Sequence, residues 1–542
     1  MVDARFATAA SLLDDYDRPH TPGAFVAVVQ GDAIIYQRGY GRANLEFDVP
    51  WTDHTRYRIA SLTKQFVGTA MLLLEDEGTL SLEDEVHRHL PELPAYGHPI
   101  ALRHMLQMTS GLMNDEIVAS IFTGDTGLHS LDYLFAIVTR IPALNNAPGD
   151  WFIYSDTNYR LAARIIERVT GQPFATVLRE RIFAPLGMDD TFASPFYAEA
   201  APRQAVLYDP VAPGTFHRIQ EGIDMSGDGA IVSTVADLLR WNAHLRYGLL
   251  GGPALLRRWS TPGVLTGGRE TAYGLGIRVA SHRGRRTWSH SGLFGAHLLR
   301  FIDDDLTIVV FANRTDLSAR SIALRAADAI LFPDAQGASD TADASATAGD
   351  DALARATGRY LHHESGSLLD LSIADGVPRA TFLGLTRPLR PAGDGSYVDA
   401  VDGALTVALS PPASSAARPS LHADIGLGAP APFMPLPSEP RALSPDALHA
   451  YVGEYENQVL EMRQRIVLRD GCLVLQLDRG QSPAHLRTLI PAAADVFIAP
   501  SPAAGYRADD LHMRFVRDTN GAIAAIRESV DSARGIVFER RV

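Results

Sequence analysis

A mixed α/β unit followed by two small antiparallel β domains is the architecture this sequence predicts, and three observations predict it. Strand-like and helix-like patterns alternate over residues 24–313. An Ala/Ser/Thr/Asp/Gly-rich stretch at 333–350, nearly free of large apolar residues, has too little apolar surface to order itself and reads as a linker. Beyond it lies an internal repeat: Gly358, Tyr360, Asp375 and Gly376 recur as Gly453, Tyr455, Asp470 and Gly471 at an offset of 95.

In the α/β unit, Ala24 to Gln30 and Ala33 to Gln37 flank a Gly31-Asp32 turn, a hairpin signal. Helical periodicity follows over 62–77 and again over 158–170, where Leu161, Ile165, Ile166 and Val169 share one face and Gly171 ends the run. Leu306 to Ala312, after an Asp303-Asp304-Asp305 turn, reads as a returning strand. In the repeated segments, Leu369, Leu371 and Ile373, then Ile466 and Leu468, alternate into Asp-Gly turns, the pattern of small barrels. The division is therefore 1–333 for the first unit, 334–352 for a linker, 353–410 for one small β domain, 411–440 for a Pro/Ala/Ser-rich linker or long loop, and 441–542 for the other.

Composition narrows the function. A chain of 542 residues is long enough for several cores, and 46% hydrophobic with 21% charged is ordinary for a globular protein. A formal net charge of −14 with no Lys/Arg cluster argues against nucleic acid and anionic membranes as partners. The longest apolar run, Phe66 to Leu74, is too short for a membrane span, and the first residues lack a secretory pattern, so a cytoplasmic location is expected. Cys472 is the only cysteine, which excludes an intrachain disulfide; no H-E-x-x-H, G-x-S-x-G or phosphate-loop motif is present, and no metal or cofactor is implied.

Of the 49 Lys+Arg residues, every one is Arg except Lys64. A bias toward Arg explains the missing lysines but not the one that remains. Arg is effectively never deprotonated, whereas Lys can exchange its proton, so a position that must cycle between ammonium and amine cannot accept Arg. Lys64 closes Ser61-Leu62-Thr63-Lys64, an S-x-x-K pattern opening a helix, whose i, i+3 spacing sets both side chains on one face. A serine hydroxyl needs a base as it attacks; Lys64 is the expected base for a Ser61 nucleophile, and the Ser61 N–H at the helix start is an expected oxyanion donor.

From these residues the chain resembles the penicillin-recognising serine hydrolases, the group of class C β-lactamases, D,D-peptidases, D-aminopeptidases and related esterases. Tyr154-Ser155-Asp156 stands where that group carries Tyr-x-Asn, and His290-Ser291-Gly292 where it carries its third motif. Further landmarks agree in order: Leu102-Arg103-His104-Met105-Leu106, Thr109-Ser110-Gly111-Leu112, Pro185-Leu186-Gly187-Met188 and Ser233-Thr234-Val235-Ala236-Asp237. The resemblance implies a β-lactamase-like domain with an antiparallel sheet flanked by helices. Tyr154 is expected to shuttle a proton, and His290 to donate toward Tyr154 or a substrate carboxylate. Gly292 should permit close backbone approach and Leu293 supply the second oxyanion N–H; Asp156 should meet substrate or Lys64. Over the whole length the plan looks like the bacterial D-aminopeptidases, with two lipocalin-like barrels and a loop of the last one, at residues 478–486, reaching the active site.

The expected activity is release of N-terminal D-residues from small peptides or amides. An esterase or β-lactamase on the same machinery and a catalytically poor ligand-binding relative are the alternatives, and a homodimer is compatible with all three. A cytoplasmic enzyme is badly placed to protect cell-wall synthesis from β-lactams, which favours small peptide, amide or ester substrates.

Overall fold

The structure, a computed structural model, describes residues 13–119, 129–219, 222–293, 295–333, 351–362, 367–374, 376–382, 385–392, 396–399, 405–410, 418–424, 431–436, 443–477, 486–500, 510–530 and 532–541. The first unit is built on a six-stranded antiparallel sheet. Its strands are β1 (Ala24–Gln30), β2 (Ala33–Tyr40), β3 (Arg278–His282), β4 (Arg285–Gly292), β5 (Ala296–Phe301) and β6 (Leu306–Ala312), in the order β3-β4-β5-β6-β1-β2. The first hairpin therefore joins the far end of the chain segment: Ala24 pairs with Ala312 and Gln30 with Leu306.

Helices cover both faces, which explains why β1 and β6 read as unbroken apolar runs rather than alternating ones. Phe25, Ala27, Val309 and Phe311 point to the larger core, shared with α1 (Thr63–Asp76), α2 (Thr157–Thr170) and α3 (Val235–Tyr247). Val26, Val28, Ile308 and Val310 point the other way, onto α4 (Ala319–Leu331). The boundaries expected for β1, α1, α2 and β6 agree with these to within one residue.

Eight strands, from Gly358–Leu361 to Ala431–Pro435, close the first barrel, and nine form the second, nearly closed one. The repeat holds in detail. Tyr360 and Tyr455 are both fully buried, and each hydroxyl donates to the carbonyl four residues earlier, Ala356 at 2.6 Å and Tyr451 at 2.8 Å. Arg359 pairs with Asp370, and Glu454 with Arg465, the same cross-strand contact with its charges exchanged.

One boundary needs correction. The stretch 411–440 contains the last two strands of the first barrel, Leu421–Asp424 and Ala431–Pro435, so that barrel does not end at 410. Among the described side chains of these two strands Leu421, Ala423 and Phe433 are buried, and so short a pair of strands carries little apolar signal among prolines and alanines. Of the expected linker, 334–350 lie outside the described residues, as does nearly all of the expected 478–486 loop; Asp351–Arg355 is a short helix that takes in the last two residues assigned to the linker, and Leu486 opens a strand.

The second barrel packs on the first unit: its core residues Leu448, Tyr451 and Phe538 form one cluster with Met113, Leu134 and Ile137. The carbonyl of Ser532, in the hairpin between its last two strands, accepts from Asn114 N–H at 3.0 Å and from the Asn145 amide at 2.8 Å.

Candidate active site

Ser61 stands where a strand turns into a helix. Tyr57–Arg58 pairs with Ile231–Ser233, Ala60 takes a left-handed conformation at φ 46°, and a single 3₁₀ turn leads into α1. Such a backbone is costly for a residue with a Cβ and persists only where its surroundings impose it. One of those surroundings is Gly292 at the end of β4: a Cβ there would lie 2.2 Å from the Ile59 carbonyl. The close approach expected of Gly292 is thus to the protein's own backbone rather than to a substrate. It sets Leu293, the next residue, beside the Ser61 turn, with a side chain 37% exposed.

Lys64 is fully buried one turn into α1. Its Nζ donates to Ser61 Oγ at 2.9 Å and to the Asp228 carbonyl at 2.8 Å, and lies 2.7 Å from Asp156 Oδ1. An ammonium has three donors, and here each has an oxygen to face. The Tyr154 ring centroid is 5.0 Å from the same nitrogen. The structure therefore brings Ser61, Lys64, Tyr154 and Asp156 together.

Asp156 immediately precedes α2, yet its side chain does not cap that helix. Burial would raise its carboxyl, but the charges of Lys64 and Arg160 and the hydrogen bond from Lys64 outweigh burial and hold it below the ordinary carboxylate range. Lys64, rather than the helix start, is its partner.

Two residues outside the expected set hold this arrangement. Asp228 presents its carbonyl to Lys64 because its carboxylate is pinned, Oδ1 by the Ser226 N–H at 2.8 Å and Oδ2 by Arg160 at 3.0 Å. Arg160, itself 7% exposed, also pairs with Asp115 and with Glu116. Gly227 lets this segment lie on α2, since a Cβ there would stand 2.2 Å from the Tyr159 carbonyl. The Thr109-Ser110-Gly111 landmark serves the second motif: Ser110 Oγ donates to Asn158 Oδ1 at 2.6 Å, and Asn158 Nδ2 to the Ser155 carbonyl at 3.2 Å.

His290, on β4, departs from its expected partners. Its Nδ1 is 2.9 Å from the Ser291 carbonyl and its Nε2 is 2.9 Å from the Tyr273 hydroxyl. Burial first, and then the charge of Lys64, push the imidazole down to about 3, so the ring is neutral at ordinary pH. A carbonyl can only accept, so the proton sits on Nδ1 and Tyr273 donates to Nε2. Instead of donating toward Tyr154 or a substrate carboxylate, His290 spends both nitrogens within the protein. Tyr273 belongs to no motif read from the sequence, and nothing in its local pattern sets it apart.

Residues 9–331 match the family described as Beta-lactamase. Over 96% of both chains the sequence is 25% identical to a D-aminopeptidase of Brucella melitensis, and over 59% of this chain and 75% of its relative it is 28% identical to penicillin-binding protein 4* of Bacillus subtilis. Among solved structures, a D-amino acid amidase of Ochrobactrum anthropi superposes with a TM-score of 0.52 at 25% identity, covering 61% of this chain and all of that one. An S-x-x-K serine bonded to the chain's single lysine, on a helix-flanked antiparallel sheet and within a match of this extent, leads to one conclusion: the chain is a serine hydrolase and belongs to the Beta-lactamase family.

Proposed function

We propose that the protein hydrolyses small peptides or amides through an acyl-enzyme on Ser61, releasing an N-terminal D-residue. The observation that carries this reading is the Asp156 carboxylate: it shares Lys64 with Ser61, and its side chain keeps 25% of its surface exposed. A negative group so near the nucleophile is suited to the free ammonium of an N-terminal residue. The similarity to a D-aminopeptidase along nearly the whole length supports the D-preference.

In this mechanism Ser61 Oγ attacks the carbonyl carbon while the N–H groups of Ser61 and Leu293 receive the developing oxyanion. Lys64, facing a carboxylate and a carbonyl as well as Ser61, acts as an ammonium that orients the hydroxyl. Tyr154, as phenolate beside that ammonium, takes the Ser61 proton and delivers it to the leaving amine as the C–N bond breaks. Water then attacks the ester, its proton passing to Tyr154 and on to Ser61. The base expected at Lys64 is thereby reassigned to Tyr154.

D-Alanine p-nitroanilide should be cleaved far faster than the L-form, and Ser61→Ala should abolish turnover. Asp156→Asn should lower kcat/KM for substrates with a free amino group more than for their N-acetylated analogues. Equal rates on both enantiomers, or turnover of short esters alone, would replace this reading with an esterase.

A further inference from the structure

Tyr273 is the hydrogen-bond partner of His290 Nε2 and so decides what the imidazole can offer. It precedes β3 in a tight loop, its carbonyl accepting from Gly263 N–H at 3.0 Å, and its ring packs edge-on to Phe152 at 5.6 Å and Tyr154 at 6.2 Å. It is 4% exposed, and burial raises its phenol well above the ordinary tyrosine range, so the hydroxyl keeps its proton and can donate at every working pH. The groups facing His290 are Tyr273, Tyr154, Lys64, Asp156, Arg278 on the neighbouring strand and the Ser291 carbonyl; the Tyr159 hydroxyl is a second neighbour of the Tyr273 hydroxyl and donates its own proton to the Leu106 carbonyl at 2.6 Å. Lys64 is matched by Asp156, so neither it nor the imidazole brings an unspent positive charge to this side of Ser61.

We infer that Tyr273 is a positioning residue: by donating to Nε2 of His290 it fixes the Nδ1–H tautomer and withholds the imidazole from the cleft, so the site favours substrates with an uncharged leaving group over those with a carboxylate there. This rests on acylation of Ser61. It deepens the proposed activity by naming amides, anilides and uncharged esters, rather than peptides ending in a free carboxylate next to the scissile bond, as the substrate class.

The test uses the full chain and Tyr273→Phe, which keeps the ring and removes only the donor. kcat/KM is measured from pH 5 to 9 for phenyl acetate and 3-carboxyphenyl acetate, a pair without an amino group and so independent of any aminopeptidase preference. In parallel, ¹⁵N-histidine spectra, with His290 assigned by loss of its signal in His290→Gln, report the tautomer and titration of that ring directly. The wild type should favour the uncharged ester by about tenfold or more across the range, with His290 as the Nδ1–H form that does not titrate above pH 5. Tyr273→Phe should raise the proton affinity of His290 by about tenfold, one pH unit, read in spectra extended down to about pH 2.5, and begin to narrow the ester preference only at pH 5, the acid end of the kinetic range. Equal turnover of the two esters by the wild type, an Nε2–H tautomer, or a titration unmoved by Tyr273→Phe overturns the inference. Absence of ester turnover together with no acyl mass on Ser61 after incubation with D-alanine p-nitroanilide, while the His290 signal behaves as expected, would instead remove the Ser61 reading and leave the role of Tyr273 in fixing the tautomer standing.

Discussion

The Nζ of the fully buried Lys64 faces Ser61 Oγ, the Asp228 carbonyl and Asp156 Oδ1, three oxygens converging on one nitrogen that has three donor positions. Guanidinium would keep the charge but is planar and longer, and it cannot point three donors at three converging oxygens from one nitrogen. Lys64→Arg is therefore expected to lower kcat/KM by roughly 10²–10⁴, the range for losing a positioned proton-handling group. The extra volume should cost about 1–3 kcal/mol of stability in a fully buried position, leaving a folded protein. Burst kinetics of acylation together with a thermal melt separate the two effects; near-normal acylation would make Lys64 structural. The residue was legible because its type is unique in the chain. Arg160, by contrast, is one of 48 arginines, and its pairing with Asp228 depends on a contact 68 positions away that no local pattern announces.

At the level of elements, local chemistry told most where one segment defines itself. The α1 and α2 periodicities and the β1–β2 hairpin were readable because their apolar spacing and turn residues lie within a few positions of one another. The Tyr273–His290 bond joins a loop to a strand, and the strands in 411–440 depend on closure with Tyr360 and Leu361, so both were invisible beforehand. Inside the second barrel, Glu528 faces inward and accepts from Gln464 Nε2 at 2.6 Å. Burial dominates and pushes its carboxyl up to about 8, against the opposing pull of Gln464 and Arg487. An acid that stays protonated when folded, yet ionises near 4.5 when unfolded, favours unfolding as pH rises through that window, and the loss is complete above about 8. The full effect is on the order of 3–5 kcal/mol. Glu528→Gln keeps the shape and removes the titration, so its melting midpoint should match the wild type near pH 4.5 and exceed it by a margin that grows up to pH 8. A constant difference across that range would show that Glu528 does not titrate there.

At the scale of the whole molecule, the second barrel and the nucleophile are joined by a short physical path. Ser532 holds Asn114; Asp115, the next residue, pairs with Arg160; Arg160 pins Asp228, whose carbonyl holds Lys64. A second attachment, Asn145, donates to the Ser532 carbonyl at 2.8 Å and accepts from Arg534 N–H at 2.9 Å without touching Arg160. The two attachments allow coupling to be told apart from simple docking. Asn145→Ala removes two hydrogen bonds of the dock, worth about 1–2 kcal/mol together, and leaves the Asp115–Arg160–Asp228 chain intact. Backbone amides of the last hairpin, Ser532 and Arg534 among them, should then exchange faster with deuterium, while the rate of Ser61 acylation stays within about twofold of wild type, since that chain still fixes Lys64. Arg160→Met should do the reverse. It leaves Asp115, Asp228 and Glu116 without their shared cation, a defect that costs about 3–5 kcal/mol when a buried pair is broken, and it frees the Asp228 segment so that acylation slows. If Asn145→Ala slows acylation as strongly as Arg160→Met, the barrel positions the catalytic lysine by a route other than Arg160, and the independence of the two attachments fails.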